Sequence, residues 1–324
     1  MSVRGTIGKI GLIPEEFIGG NITANLIRIS PNRVRVNERY LWRYMRSTEF
    51  VNSLDSASSS TTIKTIKAPD LKNILIPLPP IEEQKRIAEI LDRTQSLISK
   101  RKEAIAKLET LTQSIFIEMF GDPVTNPKKW KMLPLAELCS IVGEYGAGLS
   151  SKEYNSNLPR YIRITDITKN GELSPELVSP TGDIKDWKNY KLNAGDILFA
   201  RSGATVGKTY IHRESKENCI FAGYLIRFHP KEELLLPEFL FRYTHTSFYH
   251  AWVLARQRVV AQPNINAKQY GYDLQVPVPP LPLQKEFAQR VEAIEKLKAT
   301  HHTSLTELQA LFASLQHRAF RGEL

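Results

Sequence analysis

The sequence predicts an α+β protein: mixed α/β globular domains joined by two long helices that pair as an antiparallel coiled coil. Three observations lead there. Ile76-Pro77-Leu78-Pro79-Pro80-Ile81-Glu82-Glu83-Gln84-Lys85 recurs as Val276-Pro277-Val278-Pro279-Pro280-Leu281-Pro282-Leu283-Gln284-Lys285. Each Pro-rich joint is followed by a stretch whose apolar residues repeat every seven positions. The 324 residues, with 42% hydrophobic and 24% charged content, suit roughly two domains of ordinary size and exclude wholesale disorder.

The duplication organises the chain, and fixed-period self-similarity outranks any local structure assignment. Upstream of the joints, Thr6-Ile7-Gly8-Lys9 matches Thr205-Val206-Gly207-Lys208, Leu26-Ile27-Arg28 matches Leu225-Ile226-Arg227, and Arg43-Tyr44 matches Arg242-Tyr243. Four segments follow: 1–80, a partial first domain; 81–120, a helix; 121–280, a complete second domain; and 281–324, a second helix. The leader Trp130 to Arg201 has no counterpart before Arg4, so the chain is expected to start inside its first unit, as a shortened form or through loss of the start of its gene.

In the first unit, Tyr40 to Leu54 is expected to repeat a helix that begins at Pro237 and continues to Leu254. The first long helix places Leu91, Ile98 and Ile105 at heptad position a, and Ile87, Leu108 and Ile115 at d. Thr112 and Met119 complete a, Thr94 and Arg101 complete d, and Ile90, Leu97, Ala104 and Leu111 widen the stripe at g. In the second helix, Val291, Leu305, Phe312 and Ala319 take a with Lys298; Phe287, Ile294, Leu308 and Leu315 take d with His301. Each seam of five heptads runs about 50 Å. The alternative is that each helix packs only on its own domain.

Within 121–280, Pro159 to Ile167 reads as a strand, Gly195 to Arg201 as a turn into a buried strand, and Cys219 to Phe228 as another. Gly121-Asp122-Pro123 and Asn126-Pro127 form the hinge between helix and globule.

Charge is the first functional clue. Lys and Arg number 44 against 34 Asp and Glu, a net +10, which favours a polyanionic partner such as nucleic acid. The excess lies in the two globular segments, while 81–120 is neutral. Two cysteines, Cys139 and Cys219, cannot make a disulfide scaffold, and no basic stretch followed by an apolar run opens the sequence, so nothing points to secretion and a reducing cytoplasm is expected.

Catalytic constellations are missing. Ser202-Gly203-Ala204-Thr205-Val206-Gly207-Lys208-Thr209 approaches a phosphate-binding loop, but Ser202 replaces its first glycine and Tyr210-Ile211-His212-Arg213 reads as strand rather than helix. A tight turn between strands is the better expectation. The seven histidines form no metal-ligand spacing, and no Gly-x-Ser-x-Gly elbow, glycine-rich cofactor loop or Asn/Asp-Pro-Pro-aromatic tetrad occurs.

Three sets of residues are candidates for reading DNA. Arg256, Gln257, Arg258, Gln262 and Asn264 lie between a helix and the last strand; their counterpart in the first unit, Ser56 to Thr62 with Lys64, includes Thr61 and Lys64. The second set is Arg201, Ser202, Thr205 and Lys208, with Thr6 and Lys9 in the first unit. Lys152 and Tyr154 form the third. Arg, Gln, Asn and hydroxyl side chains can read base edges while Lys and Arg hold phosphates. The plainer alternatives are a solvated polar loop for the first set and a self-satisfied hairpin turn for the second.

The Pro-Pro-x-x-x-Gln joints at Pro79-Pro80-Gln84 and Pro279-Pro280-Gln284, the helix exit Met119-Phe120-Gly121-Asp122-Pro123, the strand-turn Gly195 to Gly203 and the ending Ala319-Phe320-Arg321-Gly322-Glu323-Leu324 resemble the specificity subunits of Type I restriction-modification systems over nearly the whole chain. The resemblance implies two target-recognition domains, each reading one half of a bipartite site in double-stranded DNA, with the coiled coil setting the spacing and docking methylation subunits. It further implies an endonuclease/translocase subunit as partner; a second copy of the chain, which would replace the missing half-domain, is a further candidate partner, and no membrane is expected because no apolar run approaches the ~20 residues of a span. S-adenosylmethionine, ATP and Mg are then expected on partner subunits, with no cofactor, metal or catalytic residue on this one. The competing reading is a coiled-coil scaffold, or a decayed truncated subunit, that reads no DNA.

Overall fold

The computed structural model describes residues 1–17, 19–57, 65–213, 218–257 and 263–324, which divide into two compact units. Met1–Ala106 with Lys298–Leu324 form the first, and Lys107–Leu297 the second. The helices, in chain order, are α1 (Glu38–Tyr44), α2 (Thr48–Ala57), α3 (Ala68–Lys72), α4 (Ile81–Phe120), α5 (Ile184–Trp187), α6 (Pro237–Tyr243), α7 (Ser247–Gln257) and α8 (Leu281–Arg321). The strands are β1 (Lys131–Pro134), β2 (Cys139–Tyr145), β3 (Ser151–Glu153), β4 (Arg160–Ile162), β5 (Val178–Pro180), β6 (Ile197–Ala200), β7 (Thr209–Ile211), β8 (Cys219–Phe221), β9 (Leu225–Pro230) and β10 (Gln275–Val278).

α4 and α8 run 40 and 41 residues without a break, as their lack of interior glycine and their heptads require. Each contributes one end to each unit, and in both units they pair antiparallel. In the first unit the start of α4 (Ile87, Ala88, Leu91) shares a core with the end of α8 (Ala319, Phe320), and Phe320 meets the ring of Tyr44 at 5.0 Å. In the second unit Phe116 and Phe120 pack on Phe287 at 5.6 and 5.2 Å. The seam is fully buried at Ile87, Leu91, Ile98, Phe287, Val291 and Ile294, and half-buried at Ile105, Leu108, Ile115, Leu305, Leu308, Phe312 and Leu315. Arg101 and His301, both at d, meet each other: Arg101 Nη1 donates to His301 Nδ1 at 2.5 Å. The g-position expectation fails at Leu97 and Leu111, which are exposed, as are their repeats Leu297 and Leu311. A two-helix seam buries a and d and leaves much of g at its rim.

Both joints are fastened in the same way. Gln84 and Gln284 are wholly buried. Gln284 Nε2 donates to the carbonyls of Pro279 (2.8 Å) and Leu234 (3.0 Å), and its Oε1 accepts from Leu236 N (2.8 Å). Gln84 repeats this with Pro79 (2.8 Å), Arg35 (3.0 Å) and Asn37 N (2.8 Å). In the second unit Arg242, also buried, ties α6 to both long helices, contacting Glu238 at 2.7 Å, Glu295 at 2.9 Å and Glu109 at 3.8 Å.

The second unit is built on the antiparallel sheet β2-β9-β6-β7. All four residues of β6 are buried, with Ile197 and Phe199 in one apolar cluster and Leu198 and Ala200 in another, as strand alternation dictates for a sheet covered on both faces. Two-stranded pairs β1-β10, β3-β5 and the parallel β4-β8 complete it.

Three sequence expectations need correction. Cys219 to Phe228 is two strands, β8 and β9, separated by a turn and belonging to different sheets. The helix expected from Pro237 to Leu254 breaks at Thr244–Thr246, because Thr244 Oγ1 and Thr246 Oγ1 donate to the carbonyls of Phe241 (2.7 Å) and Tyr243 (2.8 Å). Its repeat at Tyr40 to Leu54 breaks likewise, between α1 and α2. The strand expected over Pro159 to Ile167 is confined to Arg160–Ile162.

Candidate nucleic-acid interface

β6 and β7 form a hairpin whose turn, Ser202 to Lys208, is a short 3-10 segment at Gly203–Thr205. The near-match to a phosphate loop is thus a turn between antiparallel strands, and no helix follows it. Gly207 sits at φ +85°, and a Cβ there would come within 2.6 Å of Val253, so only glycine fits.

Buried phenols hold both ends of the turn. Tyr270 donates to Ala200 O and Tyr249 to Gly207 O, each at 2.9 Å. Burial raises the pKa of both hydroxyls far above the ordinary tyrosine value, so they remain protonated donors. Thr209 Oγ1 meets Thr244 Oγ1 at 2.7 Å, anchoring β7 to the end of α6. A turn fixed at this many points presents its side chains in one arrangement.

Two of the sequence-derived sets come together here. Arg201 Nε donates to Asn264 Oδ1 at 3.4 Å, its carbonyl accepts from Ile265 N at 2.8 Å, and Ser202 bridges to Asn264. The Arg201 guanidinium lies 4.8 Å from the ring centroid of Tyr145 at the end of β2, and Arg201 N donates to Tyr224 O at 3.0 Å. Tyr145 and Tyr224, 41% and 61% exposed, were not singled out in the sequence; they reach the turn only through sheet pairing. An arginine beside two exposed tyrosines and an amide is suited to hydrogen-bond and stack on bases.

The other candidates are placed differently. Lys208 Nζ donates to Ile167 O at 2.8 Å, tying the turn to the segment after β4, while Thr205 Oγ1 donates to Ser202 O at 3.2 Å within the turn. Arg256 lies over Trp252 at 3.8 Å and reaches Asp273 at 3.5 Å; Gln257 ends α7. Lys152 is exposed in β3, on a separate two-stranded sheet, with Tyr154 just beyond. In the first unit, Thr6 and Lys9 are exposed on a turn closed by Ser2, whose Oγ donates to Thr6 O at 2.5 Å and accepts from Lys9 N at 3.0 Å. Arg258, Gln262, Thr61 and Lys64 lie outside the described residues. Among the described residues, no three His, Cys, Asp or Glu side chains gather as metal ligands, and no helix is long and apolar enough to cross a membrane.

A family model described as the Type I restriction modification DNA specificity domain matches residues 1–110 and 127–310. Among curated proteins, the chain is 24% identical to the Type I restriction enzyme EcoBI specificity subunit of Escherichia coli, over 94% of this chain and 69% of that protein. It is 26% identical to the Type I restriction enzyme MjaVIII specificity subunit of Methanocaldococcus jannaschii, over 87% of this chain and 70% of that protein. Among solved structures, the S subunit of a Type I restriction-modification system from M. genitalium shares the fold with a TM-score of 0.56 at 15% identity, covering 89% of this chain and 74% of that one. A chain from a type I R-M system, solved in work on its complex assembly and conformational transition, has a TM-score of 0.55 at 24% identity, covering 91% and 74%.

Proposed function

Because the chain belongs to the Type I restriction modification DNA specificity family, we propose that it selects the DNA sequence on which a Type I restriction-modification complex acts. The observation that carries this is the family match across both repeats, each repeat a globular segment closed by a long helix. In the second unit the reading surface is the β6–β7 turn, where Arg201, Asn264, Tyr145 and Tyr224 meet base edges while nearby cations hold phosphates. The first unit reads the other half of a bipartite site with its Thr6–Lys9 turn.

α4 and α8 set the spacing between the half-sites and offer the docking face for methylation subunits, which an endonuclease/translocase subunit joins. The chain itself is non-catalytic in this scheme. S-adenosylmethionine, ATP and Mg belong to the partners in this scheme, and the Ser202–Lys208 stretch, a turn between antiparallel strands, is not a phosphate-binding loop.

The test is to purify the chain alone and with a methylation subunit and titrate each into duplex DNA at several salt concentrations. Affinity should fall with salt by about 0.9 log unit per log unit for each phosphate contacted. Mapping methylated bases in the host genome should then show a two-part motif. No salt-dependent binding in either state would leave the scaffold reading.

A further inference from the structure

The two units have the same anchors but not the same cover. In the second, β1 pairs with β10, and β2 with β9; between β1 and β2 the wholly buried Leu135 and Leu138 fill the space. Arg227 of β9 is bonded to Glu144 of β2, Nε to Oε2 at 3.0 Å.

In the first unit the residues 199 or 200 positions earlier are uncovered. Ile76 is 39% exposed where Val276 is fully buried, its neighbour Leu75 is 90% exposed, and Leu26 and Ile29 are 40% and 38% exposed where Leu225 and Phe228 are fully buried. Between these two stretches runs a groove of about 400 Å³, lined by Ile27, Ile29, Leu41, Phe50, Leu71 and Ile76. Arg28, the repeat of Arg227, makes no ion pair among the described residues and is exposed. The groove is nevertheless fixed in shape: Tyr44 donates to Leu75 O at 3.3 Å as Tyr243 does to Gln275 O at 2.6 Å, and the Gln84 bonds reproduce those of Gln284.

We propose that this groove of the first unit docks a polypeptide segment from outside residues 1–324, with two short strands flanking a Leu-x-x-Leu turn and a carboxylate near its end. That is the pattern of Lys131–Tyr145 in the second unit. One strand adds to the open edge at residues 75–78 and the other to residues 26–31, the two leucines enter the groove, and the carboxylate pairs with Arg28. Backbone pairing supplies affinity, and the leucines and carboxylate supply selectivity. This inference does not depend on DNA reading.

The probe is a synthetic peptide with the sequence of residues 131–145, titrated into the full chain and followed by peptide anisotropy and amide hydrogen exchange. One-to-one saturation is expected, with new protection at residues 26–31 and 75–78. Ile76→Asp, at a partly exposed position, should weaken binding about tenfold or more while leaving the circular dichroism and melting of the chain unchanged. A peptide carrying Leu135→Asp and Leu138→Asp should not bind. No protection at either stretch with millimolar peptide would overturn the proposal. So would a chain already dimeric through these stretches whose dimer the peptide leaves intact, which would give the groove to a second copy.

Discussion

At Arg201 the guanidinium is held by an amide on one side and a phenol ring on the other, half-buried at the root of a rigid turn. Replacing it with alanine should reduce discrimination between cognate and random duplex by about 1–3 kcal/mol, the range of a good bidentate base contact, measured by competition binding. Arg256→Ala should behave differently: its cation already rests on Trp252 and Asp273, so about 0.5–1 kcal/mol of stability goes and discrimination stays. Equal losses of discrimination for the two variants would refute this distinction. His245 reports on a different property. Burial, the largest influence, lowers its pKa to about 4, although its ring also bonds to Phe241 O at 2.8 Å. The unfolded chain takes up this proton near pH 6.5 and the folded chain only near 4. Stability from this group is therefore complete above pH 6.5 and lost as pH falls toward 4, by about 2–3 kcal/mol. Urea midpoints between pH 7 and 4.5 should fall less steeply in His245→Gln. Arg201, Ser202 and Asn264 could be named from the sequence, because polar residues around a glycine turn stand out. Tyr145 could not: 56 residues separate it from Arg201, and only the pairing of β2 with β9 brings them together.

Among the elements, the joints between globule and helix carry a sharp expectation. Gln284→Glu keeps the shape of the side chain but removes the donors that serve Pro279 and Leu234, and it buries a carboxylate. A loss of about 3 kcal/mol or more is expected in denaturant unfolding of the second unit, with the carbonyls left unsatisfied. Loss below about 0.5 kcal/mol would mean that water substitutes for the amide at this joint. Glutamine after Pro-Pro was visible as a repeated motif, but its reason, three hydrogen bonds made from the first turn of the helix back to the joint and the globule, lies in space rather than in spacing. The long helices were legible because a heptad pattern without interior glycine over this length has few other outcomes. The break between α6 and α7 had a signal that apolar periodicity outweighed. Thr246 accepts from Tyr249 N at 3.4 Å, and its repeat Ser47 from Phe50 N at 3.3 Å, each acting as a hydroxyl cap at the start of the second helix.

For the molecule as a whole, among the described residues the two long helices alone contribute to both units, so their length is the quantity to vary. Inserting one heptad after Lys107 and another at the partnered site in α8 adds about 10 Å to each helix and keeps the apolar stripe in phase. The spacer of the methylated motif should grow by about 3 base pairs; an unchanged spacer in an active complex would show that the helices do not set it. The division into units also has a consequence in time. Lys107–Leu297 is continuous in sequence, whereas the first unit closes its core with Ala319 and Phe320. On a ribosome, where the N-terminal side emerges first, the second unit can therefore complete its fold before the first. Met1–Ala106 emerges early yet must wait roughly ten to forty seconds, at ~5–20 residues per second, for Lys298–Leu324 to arrive. Order of synthesis and order of folding are thus reversed, and a nascent chain stalled before Lys298 would carry a finished second unit behind an unfinished first.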